Sequence, residues 1–145
     1  MAVDLRAHQT RLVELFEPAP IRSTYGMVLS YEGERAVLDL PYNSGFDHAA
    51  GAIHGGVFAT LLDNAGWFAA AQRYEEWIVT VEFTTRLLET AAEEDLRAEG
   101  WIVRAGRRVA VAGMEVRAAG GRLVATGSGT FVTTGKPLEA KSAAE

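Results

Sequence analysis

One carboxylate stands out because the residues around it are apolar. Asp63 is the only ionisable residue from Gly55 to Gln72, a stretch whose pattern predicts a buried helix. Burying an unpaired carboxylate costs several kcal/mol or shifts its pKa, and such perturbed groups concentrate at active sites. We therefore interpret Asp63 as a candidate functional residue. The alternative is a structural aspartate that reaches solvent or caps a neighbouring loop.

The residues at the start of this helix could bind an oxygen atom that carries negative charge. Gly55 and Gly56 follow His54, and two glycines let a ligand or another chain approach the backbone. The first N–H groups of a helix have no partner inside it and lie at the positive end of its dipole, where an anion or a developing oxyanion is stabilised. A plain tight entry turn is the alternative interpretation.

Helix geometry separates these two features. Gly56 and Asp63 are seven residues apart, so they share a helix face at a separation of about 10.5 Å. The helix start and the carboxylate of one subunit are therefore too distant to act on one atom, whereas a second subunit could bring its own Asp63 to the helix start. This spacing predicts an obligate oligomer, at least a dimer.

Several other positions are weaker candidates. His48 and Asn43 lie in the loop before the helix, where turn residues are common. Thr80 lies at the start of the strand after the helix, where β-propensity alone explains a threonine. Arginines around the Gly106 turn could bind a phosphate bidentately, although a solvated turn is the simpler explanation; these are Arg104, Arg107 and Arg108.

Composition narrows the class of protein. The chain has 145 residues, of which 48% are hydrophobic and 23% charged, and these proportions fit one globular domain. It carries 19 acidic and 14 basic side chains, a balance that argues against broad nucleic-acid binding. With no cysteine, the chain has no disulfide, thiolate metal site or cysteine nucleophile. The three histidines lack a recognisable ligand spacing, so we expect no metal.

The sequence carries no predicted targeting or membrane segment. Charged residues interrupt each apolar run within the first 20 residues, unlike a signal peptide. The longest stretch of low polarity, 55–71, contains Thr60, Asp63 and Asn64 and is too short and too polar to span a membrane. We therefore expect a cytoplasmic protein with no membrane partner.

Periodicity predicts the elements that must position these residues. Helical spacing predicts an amphipathic helix over 4–17, ended by Pro18 and Pro20, and a second helix over 56–72 that is apolar nearly all round and therefore buried. The segment 41–53 between them has loop composition. Alternating patterns predict two strands before the buried helix and four after it, over 25–31, 35–40, 78–88, 95–104, 109–117 and 123–133.

This order of elements indicates the fold class. A helix followed mostly by strands is typical of an α+β protein with an antiparallel sheet, and one buried helix requires the sheet to wrap around it. Glycines inside the strand patterns suggest close approach of the helix or a ligand, and they are Gly100, Gly113, Gly127 and Gly129. With no repeat or linker, we expect a single domain over 1–135 and a flexible tail over 136–145.

Taken together, these residues resemble the hotdog-fold acyl-CoA thioesterases, in the phenylacetate-pathway or PaaI-like branch. The central match is 51–64, which resembles the family's His-Gly-Gly followed by an acidic residue seven positions after the second glycine. The segments 80–83, 106–112 and 123–131 resemble the next strand, a hairpin near bound CoA and the closing strand. The resemblance extends over nearly the whole chain, from Leu12 to Val132.

The resemblance implies both an architecture and a reaction. In the hotdog fold a curved antiparallel sheet wraps around one long central helix. Two subunits join their sheets into a homodimer with two active sites between them, and such pairs associate into a homotetramer. The reaction is hydrolysis of an acyl-CoA thioester to the free acid and CoA. CoA enters as part of the substrate, and no separate cofactor is implied.

Roles for individual residues follow from the resemblance. Asp63 matches the acidic residue that acts as a general base on water or as a nucleophile. The Gly56 N–H matches the oxyanion donor, His54 helps to orient the thioester, and Thr80 matches a residue that positions water in some members. The remaining matches are expected to contact the substrate or its CoA portion, and they are Gly55, Asn64, Arg107 and Arg108.

The chain departs from the family pattern at two positions. His48 lies six residues before His54, where the family often has Asn or Gln. An imidazole can still donate one hydrogen bond to a carbonyl or to water, but it also binds and releases a proton, which an amide does not. Thr90 replaces a frequent proline after the third strand, a change with no chemical consequence.

Two questions stay open on the sequence alone. The chain could be a non-hydrolytic acyl-CoA or acyl-carrier-protein binding protein that uses the same cleft, with His48 marking lost activity. The motif of a hotdog dehydratase is not found. The acyl group is not readable either, because the aromatic residues could line a pocket or simply form core; they are Phe46, Phe58, Trp67, Phe68 and Trp77.

Overall fold

The computed structural model describes residues 4–141 and begins with two short helices. Helix α1 spans Leu5–Phe16, which confirms the predicted amphipathic helix. The Asp4 side chain accepts a hydrogen bond from the Ala7 N–H at 3.2 Å and so caps its first turn. The buried residues of α1 are His8, Leu12 and Phe16.

Helix α2 spans Pro20–Tyr25 and was not predicted. The expectation of a strand starting at Tyr25 is wrong at its first residues, because Pro20 starts a new helix rather than only ending the previous one. Proline is favoured in the first helical turn, where its missing N–H has no partner to lose. Gly26 then ends α2 with a left-handed φ of 80°, a conformation that favours glycine.

A six-stranded antiparallel sheet forms the other layer of the described chain. Its order is β1-β2-β4-β5-β6-β3, so β3 lies at one edge although it is third in sequence. All six predicted strands are confirmed, with shifts at their ends. They are β1 (Val28–Glu32), β2 (Arg35–Leu40), β3 (Glu76–Leu87), β4 (Leu96–Ala105), β5 (Val109–Arg117) and β6 (Leu123–Pro137).

The last strand extends beyond its predicted end. Pro137 pairs with Glu76 of β3, and Leu138 is buried. The residues from 136 to 138 therefore belong to the folded domain, and the boundary expected at residue 135 is placed too early. Hydrophobic burial of Leu138 outweighs the polar character that made this segment resemble a tail. Residues 142–145 of the expected tail lie outside the described residues.

Helix α3, Gly55–Ala71, is the long central helix around which the sheet curves. Ten of its residues are buried, which confirms the prediction of a helix that is apolar nearly all round. Close approach of α3 explains one of the strand glycines, as predicted, and close approach of β3 explains another. A Cβ added at Gly100 would lie 2.1 Å from the Ala65 carbonyl oxygen, and one at Gly127 would lie 2.4 Å from the Thr84 carbonyl oxygen.

The outer face of the sheet shows a different use of glycine. A Cβ at Gly113 would meet the Trp101 indole at 2.6 Å, so the indole occupies the space above β5. The Arg35 guanidinium lies 4.8 Å from the centre of that ring, a cation–π arrangement. Gly113 is therefore explained by a neighbouring side chain and not by α3 or a ligand.

The edge strand β3 is open to solvent along much of its length. Val81 is 60% exposed and Leu87 is 57% exposed, and the outer edge of β3 pairs with no strand among residues 4–141. Long apolar edge strands are templates for pairing with another chain. Across the same described residues, the helices are too short or too polar to cross a membrane.

Candidate active site

The side chains of Asp63 and Thr80 are in contact in the folded protein. Asp63 lies half-buried on α3, and Thr80 lies on the inner side of β3, which runs past that helix. The Thr80 hydroxyl donates a hydrogen bond to Asp63 Oδ1 at 2.8 Å. The two side chains were predicted separately, and the structure shows that they form one unit in which Thr80 holds one carboxylate oxygen in place.

The surroundings of Asp63 favour a basic carboxylate. Burial raises the pKa of the Asp63 carboxyl, and the hydrogen bond from Thr80 lowers it again in part. Burial dominates because a carboxylate loses more free energy on leaving water than one neutral donor returns. Asp63 is therefore a stronger base than an exposed aspartate, which is the property that general-base chemistry requires.

An apolar cavity of about 220 Å³ lies beside this carboxylate. Asp63 and Asn64 form its polar part, while the Asn64 amide also donates to the Thr60 carbonyl oxygen at 2.8 Å. The rest of the lining is apolar and comes from α1, α2, α3 and the start of β3; it comprises Leu15, Phe16, Ala19, Ile21, Trp67, Phe68 and Trp77.

The aromatic residues that the sequence left undecided therefore divide into two groups. Trp67, Phe68 and Trp77 line the cavity. Phe58 is a core residue with 3% exposure, and Phe46 stacks on Tyr25 with ring centres 5.4 Å apart. The contribution of α1 and α2 to the lining was missed, since their contact with α3 depends on the tertiary fold. In the sequence, the turn at 18–20, which is bounded by two prolines, is the feature that could have indicated that α1 and α2 fold back against α3.

The start of α3 uses His54 as its cap. Nδ1 of His54 accepts a hydrogen bond from the Gly56 N–H at 2.8 Å. A backbone N–H can only donate, so neutral His54 carries its proton on Nε2 and presents a donor there. The Gly56 N–H, expected to be the oxyanion donor, is thus engaged by His54. The Gly55 N–H has no acceptor among residues 4–141.

His48 lies near this helix start. Its Nδ1 accepts a hydrogen bond from the Ala50 N–H at 3.1 Å, so a neutral imidazole again presents an Nε2–H donor. His48, Gly55 and Leu87 line a second cavity. Asn43 does not contribute to it and instead accepts from the Gly45 N–H at 2.8 Å, starting a short 3₁₀ helix over Ser44–Phe46.

Within one chain, the predicted site residues thus fall into separate clusters. Asp63 lines the apolar cavity and is hydrogen-bonded to Thr80, whereas His48 and Gly55 lie at the helix start beside Leu87, the last residue of β3. Arg107 and Arg108 line a third cavity with Glu76, the first residue of β3, and with Thr133 and Thr134. The arginines and the helix start therefore lie at opposite ends of β3.

Metal ligation finds no support in the described part of the chain. Within residues 4–141, no three His, Asp or Glu side chains are grouped in a way that could hold a metal ion. What the geometry does provide is a basic carboxylate in an apolar cavity, a helix-start N–H that has no acceptor among residues 4–141, and two imidazole donors. This set of groups can activate water and stabilise a negatively charged oxygen.

Comparison with known proteins assigns this arrangement to a family. A family model described as the thioesterase superfamily matches residues 50–125, which is more than half of the chain and includes the helix start, Asp63 and Thr80. The chain belongs to the thioesterase superfamily. A Saccharolobus solfataricus protein provisionally named an esterase is also 30% identical over 115 residues, covering 79% of this chain and 82% of that relative.

Solved structures of the thioesterase superfamily share the same architecture. A thioesterase family protein from Silicibacter pomeroyi is 29% identical, with a TM-score of 0.79 over 87% of this chain and 96% of that one. The E. coli PaaI protein from the phenylacetic acid degradation operon has a TM-score of 0.80 over 92% of this chain and 95% of that one. The two sequences are only 18% identical, so this comparison shows that the two proteins share a fold and no more. The predicted α+β hotdog fold is confirmed, and superfamily membership supports a hydrolase activity.

Proposed function

We propose that this thioesterase-superfamily protein hydrolyses an acyl-CoA thioester to the free acid and CoA, with Asp63 as the reacting carboxylate. The observation that carries the proposal is Asp63 itself, a basic carboxylate held by Thr80 at the polar end of an apolar cavity. An apolar acyl chain would occupy the cavity and leave its carbonyl carbon beside the carboxylate.

Asp63 can act in either of two ways. As a general base, it takes a proton from a water molecule, whose oxygen attacks the thioester carbonyl carbon. The C–S bond then breaks, and the CoA thiolate leaves and takes up a proton. As a nucleophile, Asp63 attacks that carbon itself, the C–S bond breaks and the CoA thiolate leaves and takes up a proton. Water then hydrolyses the resulting acyl–Asp63 anhydride to the free acid and restores the carboxylate. The raised pKa of Asp63 suits both roles, because a more basic carboxylate accepts a proton more readily and is also a stronger nucleophile.

The helix start offers the groups that would stabilise the thioester oxygen. Negative charge develops on this oxygen when the carbonyl carbon is attacked, and N–H donors at a helix start stabilise it. Gly55 supplies an unpaired N–H, while the Gly56 N–H becomes available only when His54 turns away. The Nε2–H groups of His54 and His48 can orient the thioester or the attacking water, so a histidine can replace the usual amide.

A second copy of the chain would bring these groups to Asp63. Antiparallel pairing of two exposed β3 strands about a two-fold axis sets the Leu87 end of one strand beside the Glu76 end of the other. The helix start lies beside Leu87, so the partner subunit's Gly55 would approach the half of β3 that contains Thr80. We therefore propose a homodimer with two active sites, each built from both subunits, and its further pairing into a homotetramer.

Arg107 and Arg108 are suited to the CoA portion. They lie in the turn between β4 and β5, near Thr133 and Thr134, where guanidinium and hydroxyl groups could bind phosphate together. Both are exposed, so neither is expected to touch the reacting atoms. Loss of either should raise KM with little change in kcat, since these contacts bind substrate and transition state equally.

The experiment that tests this function is a thiol-release assay. The purified protein is offered a panel of acyl-CoA thioesters, and free CoA is measured spectrophotometrically with Asp63→Asn as the matched control. Turnover that depends on Asp63 supports the hydrolase. Tight binding of acyl-CoA without thiol release from any substrate would overturn it in favour of a non-hydrolytic binding protein.

A further inference from the structure

We propose that α1 and α2 limit the acyl group that this protein accepts, so that it hydrolyses compact apolar acyl groups and excludes long chains. This inference rests on the proposed function, since it assigns the Asp63 cavity to the acyl group. The residues concerned form what we call the helical wall, namely Leu15, Phe16, Ala19 and Ile21. They are specificity-determining residues, because they would touch the acyl group away from its reacting carbon.

The arrangement of the cavity gives the substrate one orientation. Asp63 and Asn64 are its polar lining residues, and the helical wall supplies apolar surface together with Trp67 and Trp77. Polar thioester atoms and the charged CoA portion would be unfavourable against the apolar surface. The thioester is therefore expected beside Asp63, with the acyl group directed into the space between α3 and the helical wall.

The size of the cavity sets the limit. Its volume is about 220 Å³, whereas pockets for drug-sized ligands measure about 300–1,000 Å³. An apolar protein cavity of about 150 Å³ binds benzene. The Asp63 cavity therefore has room for an acyl group somewhat larger than one benzene ring, and no room for a long alkyl chain inside it.

The aromatic side of the cavity is held firmly in place. The Trp67 indole N–H donates to the Ile78 carbonyl oxygen at 3.0 Å. The Trp67 ring centre lies 5.2 Å from that of Trp77 and 4.9 Å from that of Phe68. These contacts fix the rings against one another, so enlarging the cavity on this side would require several side chains to move together.

Two sets of contacts restrain the helical wall, one at the start of α1 and one within its turn. Nε2 of His8 on α1 lies 3.0 Å from the Ala71 carbonyl oxygen and 2.9 Å from that of Tyr74, at the end of α3. Pro18 and Pro20 restrict the turn that contains Ala19, and the Ala19 N–H donates to the Phe16 carbonyl oxygen at 3.0 Å. A bound chain therefore meets a rigid surface.

The helical wall also lies outside the part of the chain that matches the superfamily model. That match begins at residue 50, whereas α2 ends at Tyr25. The catalytic carboxylate and the surface that limits the acyl group thus come from separate parts of the sequence. A change at Ala19 should consequently alter selectivity without altering the reacting groups.

The test compares acyl selectivity in variants that narrow or widen the cavity. Ala19→Leu replaces a methyl group with an isobutyl group in the helical wall, and Ala119→Leu makes the same change at an exposed turn between β5 and β6. Trp77→Leu widens the cavity on its opposite side. The value of kcat/KM is measured with acetyl-, butanoyl-, hexanoyl-, phenylacetyl- and dodecanoyl-CoA, the last below its micelle concentration.

The expected pattern is a shift in selectivity rather than a general loss. The parent should prefer hexanoyl- or phenylacetyl-CoA to dodecanoyl-CoA. Ala19→Leu should lower kcat/KM for those preferred substrates about tenfold or more, the effect of a misplaced methylene in an apolar pocket, and change acetyl-CoA far less. Trp77→Leu should raise the relative value for dodecanoyl-CoA, and Ala119→Leu should match the parent.

Two results would overturn the inference while leaving hydrolysis intact. One is a parent enzyme that prefers dodecanoyl-CoA, and the other is an Ala19→Leu variant that loses activity equally on every substrate while its circular dichroism is unchanged. Failure of the hydrolytic proposal would look different, because no substrate would release thiol. Calorimetric binding to Asp63→Asn decides the size limit in that event. Tighter binding of hexanoyl- than of dodecanoyl-CoA supports the limit, and the reverse order overturns it.

Discussion

The cavity around Asp63 and the cavity at the start of α3 lie on the same helix but differ in their surroundings. The first is lined mostly by apolar side chains, and its one carboxylate is half-buried and held by Thr80. The second has exposed residues along one side, namely His48, Leu87 at the end of β3 and residues 88–90 after it, and the buried Ile53 and Phe58 along the other. The first region therefore holds a carboxylate with a raised pKa, and the second holds hydrogen-bond donors.

This difference explains why the two regions can occupy one helix without acting on each other. A carboxylate beside the positive end of α3 would be stabilised as the anion and would lose basicity. Asp63 lies about 10 Å along the helix from that end. Burial therefore affects the pKa of its carboxyl more than the helix dipole does. In the proposed dimer, a second subunit pairs with the exposed edge of β3 and brings its own helix start close to Asp63.

The largest expected effect comes from removing the charge of Asp63. Asp63→Asn keeps the shape of the side chain, so the fold should persist while kcat falls by about 10²–10⁴, the usual effect of losing a general base. Steady-state kinetics on the best acyl-CoA provides the measurement. A variant within threefold of the parent would refute the assigned role.

Asp63→Asn also tests the environment of the carboxylate through stability. The pKa of Asp63 is raised in the folded protein, so the folded protein holds this proton more tightly than the unfolded chain. Ionisation therefore costs folding free energy as the pH rises through the folded pKa. The Tm of Asp63→Asn should equal or exceed that of the parent at pH 7, with a difference that shrinks towards pH 3.8, the ordinary value for the group.

The donor region is tested by deleting one N–H. Gly55 is the first residue of α3, and His54 before it has φ −64° and ψ 138°, angles that are compatible with a following proline. Gly55→Pro should therefore fold, and loss of one oxyanion donor should reduce kcat by about 10²–10³.

Gly55→Ala is the matched control because it adds a Cβ but keeps the N–H. In either variant the Cβ would lie 2.7 Å from Leu87 Cδ1, the end of a flexible and exposed side chain that can move aside. Equal kinetics in Gly55→Pro and Gly55→Ala would assign the donor role elsewhere, with the Gly56 N–H as the next candidate.

A smaller effect is expected from the contact that joins α3 to β3. Thr80→Val removes the hydrogen bond that lowers the pKa of Asp63, so that pKa should rise further. In the proposed reaction the ionised carboxylate of Asp63 is the active form, so activity should be lost on acidification as the carboxyl takes up its proton. The acid limb of the kcat–pH profile should therefore move to higher pH in Thr80→Val and stay unchanged in Thr80→Ser. An unmoved limb in Thr80→Val would mean that Asp63 is not the titrating base.

The smallest expected effect concerns the cap of α3. His54→Ala removes the acceptor for the Gly56 N–H and should lower the free energy of unfolding by about 1 kcal/mol. His54→Ser retains a capping oxygen and should recover most of that stability without restoring the imidazole. Denaturant unfolding of both variants measures the difference, and equal stability of the two would show that the cap contributes nothing.

Much of the architecture could be predicted from local pattern. The run of apolar residues around Asp63 predicted α3 and indicated that its one carboxylate is unusual. Alternation of apolar and polar residues predicted the six strands. Local pattern could not place β3 at the edge of the sheet, since strand order depends on long-range pairing. It also missed α2, because Pro20 ends one helix and starts another, and the two roles look alike in sequence.

The site was predicted as residues but not as contacts. Asp63 and Thr80 were both identified, yet their hydrogen bond depends on how β3 passes α3. The hydrogen bond between His54 and Gly56 was not predicted either. The first N–H groups of a helix usually have no partner within the helix, so the Gly56 N–H was expected to be unpaired. The acyl cavity was left undecided because Trp67 and Trp77 have the same periodicity whether they line a cavity or fill a core.

The proposed dimer requires that each active site combine Asp63 from one subunit with the helix start from the other. Co-expression of Asp63→Asn and Gly55→Pro chains, each with a different affinity tag, allows isolation of the mixed dimer. That dimer contains one intact site and one doubly substituted site, so it should regain about half of the parent activity. Activity no higher than that of the two separate variants would place both groups in one subunit and rule out a site shared between subunits.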